Sequence, residues 1–273
     1  MNEKVQPRNG TDARGVQSVE VGLGILLPFL DAEGPLKLRE VAERAGVPPT
    51  KAHAYMVSFR RMGLVEQDEK SGRYRLGPYA LLLAIARMRS FDAMKAAATA
   101  VEALSEETGH TVAVTVWGSF GPTVVLIRKG VDQNYINTNV GTVYSVSGTA
   151  AGMVYAAYMP EATVKAAIRA EVREAGKTLR VGKTRTFADI TAEIDMIRSR
   201  GFATIYPRPV PGIAAVGAPV IDHTGQIQMA VTLIGTEAHL DVDPNGATVK
   251  KLLAVTQRLS FEHGHVDPAF SGA

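Results

Sequence analysis

The stretch GVPPTKAHAYMVSFRRMGLVE, residues 46–66, decides how the first part of this chain folds. Pro48 and Pro49 cannot continue a helix that ends at Gly46. Proline lacks an amide donor and disfavours helical geometry in the residue before it. It is tolerated in the first turn of a new helix. Residues 46–48 are therefore a tight corner between two helices. In the second of them, Ala52, Tyr55, Met56 and Phe59 form a stripe at helical spacing. Thr50, Lys51 and Ala54 are left facing outward near its start, and Gly63 ends it.

Working outward, Leu38, Val41, Ala42 and Ala45 mark a short preceding helix. Residues 16–30 are expected to form a first helix, with Gly22, Gly24 and Pro28 weakening its middle. On the other side, residues 64–67 and 73–76 alternate around a polar loop ending in Ser71-Gly72, a hairpin pattern. Three helices and a basic hairpin make a winged helix-turn-helix. Its third helix would enter the DNA major groove by its N-terminal residues, with phosphates held by flanking cations. Charge agrees. The chain carries a formal net charge of only +3, but residues 35–90 hold eleven Lys or Arg against five Asp or Glu, so the excess is concentrated here. A polyanion partner follows from that concentration.

Lys51 suits the acceptors of a guanine edge, or is a solvated helix charge. His53 either packs against the first helix or meets a phosphate. Tyr55 is expected in the core rather than stacked on a base. Arg73 and Arg75 alternate with Tyr74, so both point one way and are expected to grip phosphates.

Pro78 opens a further helix to about residue 90, rich in Leu81, Leu82, Leu83 and Ile85. Residues 91–107 continue as helix. After Gly109 the periodicity changes. Strands are expected at 112–117, 123–128, 202–206, 213–221 and 227–235, and helices at 149–158, 160–174, 187–200 and 244–262. This second part is α+β, an antiparallel sheet with helices around it.

Several classes are excluded. The chain has no cysteine, so disulfides and thiolate metal sites are ruled out. Its apolar runs are too short to span a bilayer, and its first residues lack a signal-peptide core. This points to a soluble cytoplasmic protein without membrane association. GKT at 182–184 lacks the first glycine of a phosphate loop, and WGSFGP at 117–122 lacks the spacing of a nucleophile elbow. The six histidines are scattered. No catalytic residue, metal site or cofactor is expected. An enzyme acting on a small molecule in the second part is the alternative, but no acid/base pair or nucleophile supports it.

These segments together resemble the IclR family of bacterial transcriptional regulators. The resemblance lies in VQS at 16–18, LREVAERAGVPPTKAHAYM at 38–56, GRYRLGP at 72–78 and VGTVYSVSGTAAG at 140–152. It continues in RSRGFA at 198–203, PG at 211–212 and GAPVIDHTGQIQMAVTLIG at 217–235, covering residues 15–262 in order. It implies an α+β chain: an N-terminal winged helix-turn-helix, a linker helix and a C-terminal GAF-like effector-binding domain. The expected division is a disordered tail at 1–14, a DNA-binding domain at 15–77, a linker at 78–92, an effector domain at 93–265 and a flexible tail at 266–273. It also implies a dimer or tetramer on double-stranded operator DNA and, for this family, repression, here of a catabolic operon released by a small metabolite. The DNA-side residues so implied are Ser18, Arg39, Pro49, Thr50, Lys51, His53, Ala54, Arg60, Arg73 and Arg75.

The chain departs from the family at Ala54, where a cation is common, and at Ser147, where a histidine is usual. Residues 205–210 lack the usual acidic groups, and Ala214-Ala215 stands where a cysteine is usual. The missing acidic groups, with Arg208 lying among their positions, shift the expected effector from a cationic or metal-linked ligand to a neutral or anionic one. Its pocket is expected between the sheet and segments 144–150 and 205–213. The expected lining is Trp117, Tyr144, Ser147, Gly148, Thr149, Ala150, Tyr206, Arg208 and Ile213, with Val114, Val116 and Val216 as further apolar wall. Arg208 is either a clamp for a carboxylate or a surface charge. An apolar or aromatic body bearing a carboxylate, amide or hydroxyl suits such a lining.

Overall fold

In the computed structural model of the protein, the structure describes residues 15–131, 138–174, 180–205 and 212–266. The chain divides into two compact units, one ending at Phe91 and the other spanning Asp92–His265.

The first unit opens with α1 (Gln17–Leu26) and α2 (Leu38–Arg44), followed by α3 (Pro49–Arg61). The hairpin is β1 (Val65–Gln67) and β2 (Tyr74–Leu76), and α4 (Pro78–Ser90) leaves it. α1 is shorter than the spacing of its apolar residues implies. Pro28 has no N–H to continue the ladder, and Leu27–Phe29 tightens into a 3₁₀ turn. The corner forms as the prolines require: Gly46 has φ of 63°, Pro48 is extended, and Pro49 is the first residue of α3. Ala52 and Met56 are fully buried, and Tyr55 and Phe59 pack partly against the same core of Ile25, Phe29, Val41 and Val65. β1 and β2 are antiparallel with Glu66 opposite Arg75. Leu36 adds a single antiparallel bridge to Tyr74, which the sequence does not announce.

The second unit holds α5 (Ala93–Thr108), β3 (Thr111–Gly118), β4 (Gly121–Arg128), β5 (Val143–Tyr144) and α6 (Ala150–Tyr158). It continues with α7 (Glu161–Arg173), β6 (Arg180–Val181), α8 (Phe187–Arg200) and β7 (Ala203–Ile205), then β8 (Ile213–Ile221), β9 (Ile227–Thr236) and α9 (Ala247–Glu262). One seven-stranded sheet runs β6-β5-β4-β3-β9-β8-β7. It is mixed rather than purely antiparallel, because β5 and β6 pair in parallel. Neither two-residue strand carries enough alternation to be read from sequence.

Helices cover both faces. α5 and α9 pack on one side against Val112, Val114, Val216, Val231 and Leu233. α6 packs on the other, and α7 and α8 pack against α6 in one apolar cluster that includes Ala203, Ile205 and Ala230. This corrects the expected apolar wall. Side chains alternate along a strand, so Val114, Val116 and Val216 lie on the α5–α9 side, while Trp117 packs with the α6 layer. Ile213 joins a smaller cluster with Tyr144 and Ala151.

Candidate DNA interface and effector site

On the first unit, Pro49, Thr50, Lys51, His53 and Ala54 are all exposed at the start of α3. His53 therefore does not pack into the core. Ser18 and Arg39 are exposed on α1 and α2. The chain thus presents one helix turn with a hydroxyl, an ammonium and an imidazole to a partner.

The cations flanking that turn are engaged within the unit. Arg60 Nη1 donates to Gln67 Oε1 at 2.7 Å, tying α3 to the wing. Arg73 Nη1 donates to the Pro35 carbonyl at 2.9 Å and lies 3.5 Å from Glu40 Oε2. Glu40 in turn accepts the Lys37 amide at 2.6 Å at the start of α2. That amide first, and Arg73 after it, hold the Glu40 carboxyl below its ordinary pKa. Arg75 pairs with Glu66 across the strands at 2.9 Å. The two wing arginines therefore differ. The Arg73 side chain is 38% exposed and braces α2, while that of Arg75 is 68% exposed and held only by a surface pair. A surface pair of that kind contributes about 0–1 kcal/mol, so a phosphate can displace it.

In the second unit the start of α6 is built by close backbone approach. Thr149 caps the helix: its Oγ1 accepts the Gly152 N–H at 3.0 Å and donates to the Ser145 carbonyl at 2.9 Å. A Cβ on Gly148 would stand 2.4 Å from the Lys183 carbonyl oxygen, so only glycine lets the 182–186 segment lie against this loop. Ser147 is fully buried. Its Oγ donates to the Arg185 carbonyl at 2.9 Å and accepts the Arg185 N–H at 2.7 Å. Arg185 also donates Nε to the Ser147 carbonyl at 2.8 Å and both Nη atoms to Glu193 at 2.6 and 3.0 Å. The hydroxyls of Ser147 and Thr149 are thus already spent on the loop's own shape. Ala150 is buried at the first turn.

Tyr144 is buried, and its hydroxyl donates to Thr138 Oγ1 at 3.2 Å; burial pushes its pKa up to about 12. The Trp117 ring lies 5.4 Å from that of Tyr155 on α6. Tyr155 donates to the Thr115 carbonyl at 2.6 Å, and burial raises its pKa further. Tyr206 and Arg208 lie outside the described residues.

The structure adds a residue that the sequence reading missed. Thr232 on β9 is 2% exposed, and its hydroxyl has no partner among the described residues. It stands opposite Gly217 on β8. A Cβ on Gly217 would lie 3.0 Å from Thr232 Oγ1 and 3.4 Å from the Ala150 carbonyl carbon. The hydroxyl, the bare glycine and the first turn of α6 therefore meet at one place. The signal was available: Thr232 is the single polar residue in MAVTLIG, at the parity of Ala230.

Among the described residues, no group of three or more His, Asp or Glu could hold a metal, and no helix is long and apolar enough to cross a membrane.

Comparison with known proteins agrees with both units. Residues 18–69 match the IclR helix-turn-helix domain, and residues 85–261 match the C-terminal domain of the bacterial transcriptional regulator IclR. The chain is 28% identical over 247 residues to a glycerol operon regulatory protein of Streptomyces griseus, covering 90% of this chain and 94% of that one. A second glycerol operon regulatory protein, from Streptomyces coelicolor, is 28% identical over 229 residues, with 84% and 88% covered. Among solved structures, Pseudomonas aeruginosa HmgR superposes with a TM-score of 0.77 at 30% identity, over 92% of this chain and 99% of that one. Agobacterium tumefaciens BlcR shares the fold, with a TM-score of 0.70 at 15% identity and coverage of 92% and 99%. The curated relatives are named as regulatory proteins and are matched over most of their own length, which supports a regulator against the enzyme alternative. With a family domain matched over most of its second unit and the matching reader domain before it, the chain belongs to the IclR family of bacterial transcriptional regulators, DNA-binding proteins rather than enzymes.

Proposed function

We propose that this regulator is a repressor of a catabolic operon that binds operator DNA as a dimer or tetramer and is modulated by a small neutral or anionic organic metabolite. The observation that carries the reading is the exposed first turn of α3, with Thr50 and Lys51 free of the core at the head of a winged helix. A helix in that position reads base edges in the major groove. Two relatives named for the glycerol operon favour a catabolic target.

Self-association rests on apolar side chains left in water. Tyr79, Leu81, Leu82 and Leu83 are exposed on α4, and Val16, Val19, Leu23, Leu27 and Leu30 are exposed along α1 and the turn after it. Large apolar side chains left exposed on two helices favour a protein contact, and a second copy is the partner that a two-fold operator requires.

The effector site we infer lies at the first turn of α6, bounded by Trp117, Ile213 and Thr232. Helix-start amides favour anions and carbonyl oxygens, and an unpartnered buried hydroxyl costs free energy until something bonds it. Arg208 belongs to this reading as a carboxylate clamp. The test is a melting screen with glycerol, glycerol 3-phosphate, benzoate and 4-hydroxybenzoate, followed by operator titration with each compound that raises the midpoint. A compound that raises the midpoint and changes operator affinity supports the reading. Binders without effect on operator affinity defeat it.

A further inference from the structure

Glu171, near the C-terminal end of α7, is 3% exposed, and no cation pairs with it among the described residues. A buried carboxylate is costly, and the carboxyl end of a helix is the wrong place for an anion. Burial and helix position both count against an acid here, so its hydrogen bonds must offset them. What the carboxylate does is gather donors from two separate segments. Its Oε1 accepts the Val146 amide at 2.8 Å, and its Oε2 accepts Ser145 Oγ and Thr184 Oγ1, each at 2.9 Å. Ser145 and Val146 open the loop into α6, and Thr184 lies in the 182–186 segment that Gly148 lets approach.

We propose that Glu171 is a positioning residue that holds the Ser145–Thr149 loop and the 182–186 segment in the arrangement that shapes the first turn of α6. The inference rests on the reading of that turn as the effector site. The loop has no slack of its own. A Cβ on Gly152 would stand 2.1 Å from the Ser145 carbonyl oxygen, so the helix start lies directly against the loop and a shift of Ser145 and Val146 moves it. Trp117, the only tryptophan in the chain, reports that shift through its contact with Tyr155 on α6.

The experiment uses the full-length protein without ligand and compares Glu171→Leu, Glu171→Gln and Thr184→Val. Leucine removes every acceptor. Glutamine keeps one for the Val146 amide and offers N–H to hydroxyls that can accept. In Glu171→Leu, amide exchange within 145–149 and 182–186 should speed by about tenfold or more, as for local opening. Exchange in β8, β9 and α9 should stay unchanged, and Trp117 emission should move to longer wavelength. Glu171→Gln should keep both protection and emission. If the leucine variant does not fold, Thr184→Val carries the test and should loosen the same two segments alone. Unchanged exchange there, uniform loss throughout the unit, or a glutamine variant as loose as leucine would overturn the proposal. Neither readout needs an effector, so failure here leaves the ligand site standing, and an empty metabolite screen leaves Glu171 standing.

Discussion

Gly217 and Thr232 face each other across β8 and β9, and the missing side chain of one leaves the hydroxyl of the other beside the first turn of α6. Thr232→Val keeps the shape and removes the unpartnered hydroxyl. It should stabilise the fold by about 1–2 kcal/mol while weakening whichever screened compound binds at α6. Chemical denaturation and calorimetry together check this. A destabilised valine variant would mean that the hydroxyl is bonded in the native state.

Lys51→Ala should cost about 1–3 kcal/mol on specific DNA if the ammonium meets a guanine edge. Fluorescence anisotropy against specific and random duplexes measures it. Equal loss on both would reduce Lys51 to a phosphate contact.

The two wing arginines should part company. Arg75→Ala is expected to weaken all sequences alike and to lower the salt slope by about one unit. Arg73→Ala removes the brace to Pro35 and Glu40 and should instead lower the melting point of the first unit. Glu66→Gln frees Arg75 and should raise affinity for random DNA. An unchanged slope in Arg75→Ala would take that side chain out of the DNA interface.

Leu82→Asp on α4 should shift the protein toward monomer at micromolar concentration by light scattering and weaken operator binding. In the intact protein the operator should contain an inverted repeat, its half-sites about 34–36 Å apart or a multiple of that.

Acid should weaken the β8–β9 turn. Burial tends to raise the Asp222 pKa, but donors from Thr224, Gln226 and Gln228 outweigh it and leave it below the ordinary value. A group whose folded pKa is depressed contributes stability above its unfolded pKa of about 3.9. That contribution is lost as pH falls through the folded value. The urea midpoint should therefore hold between pH 6 and about pH 5 and drop as pH falls below about 4, less steeply in Asp222→Asn.

Much of the chain was legible in its residues. Gly46, Pro48 and Pro49 are local devices, and local rules placed the α3 start and left Thr50 and Lys51 outside the core. The boundaries of α7, α8, β8 and β9 followed from periodicity and from Gly201 and the Asp222–Gly225 turn. The polar residues of VYSVSGT were also recognisable as a special loop, though not the use to which they are put.

Only the tertiary structure decided which face of the sheet each residue meets. β3, β8 and β9 are buried on both sides, so apolar residues occupy both parities and alternation carries no sign of direction. Val114 and Val216 accordingly lie with α5 and α9, and Thr232 with α6. The same holds for the partners of polar groups. Glu171 meets Val146 across 25 residues of chain, Ser147 meets Arg185 across 38, and Arg73 meets Pro35 across 38. Periodicity is a property of neighbours along the chain, whereas a buried hydrogen bond is set by which segments the packing of the whole core brings together.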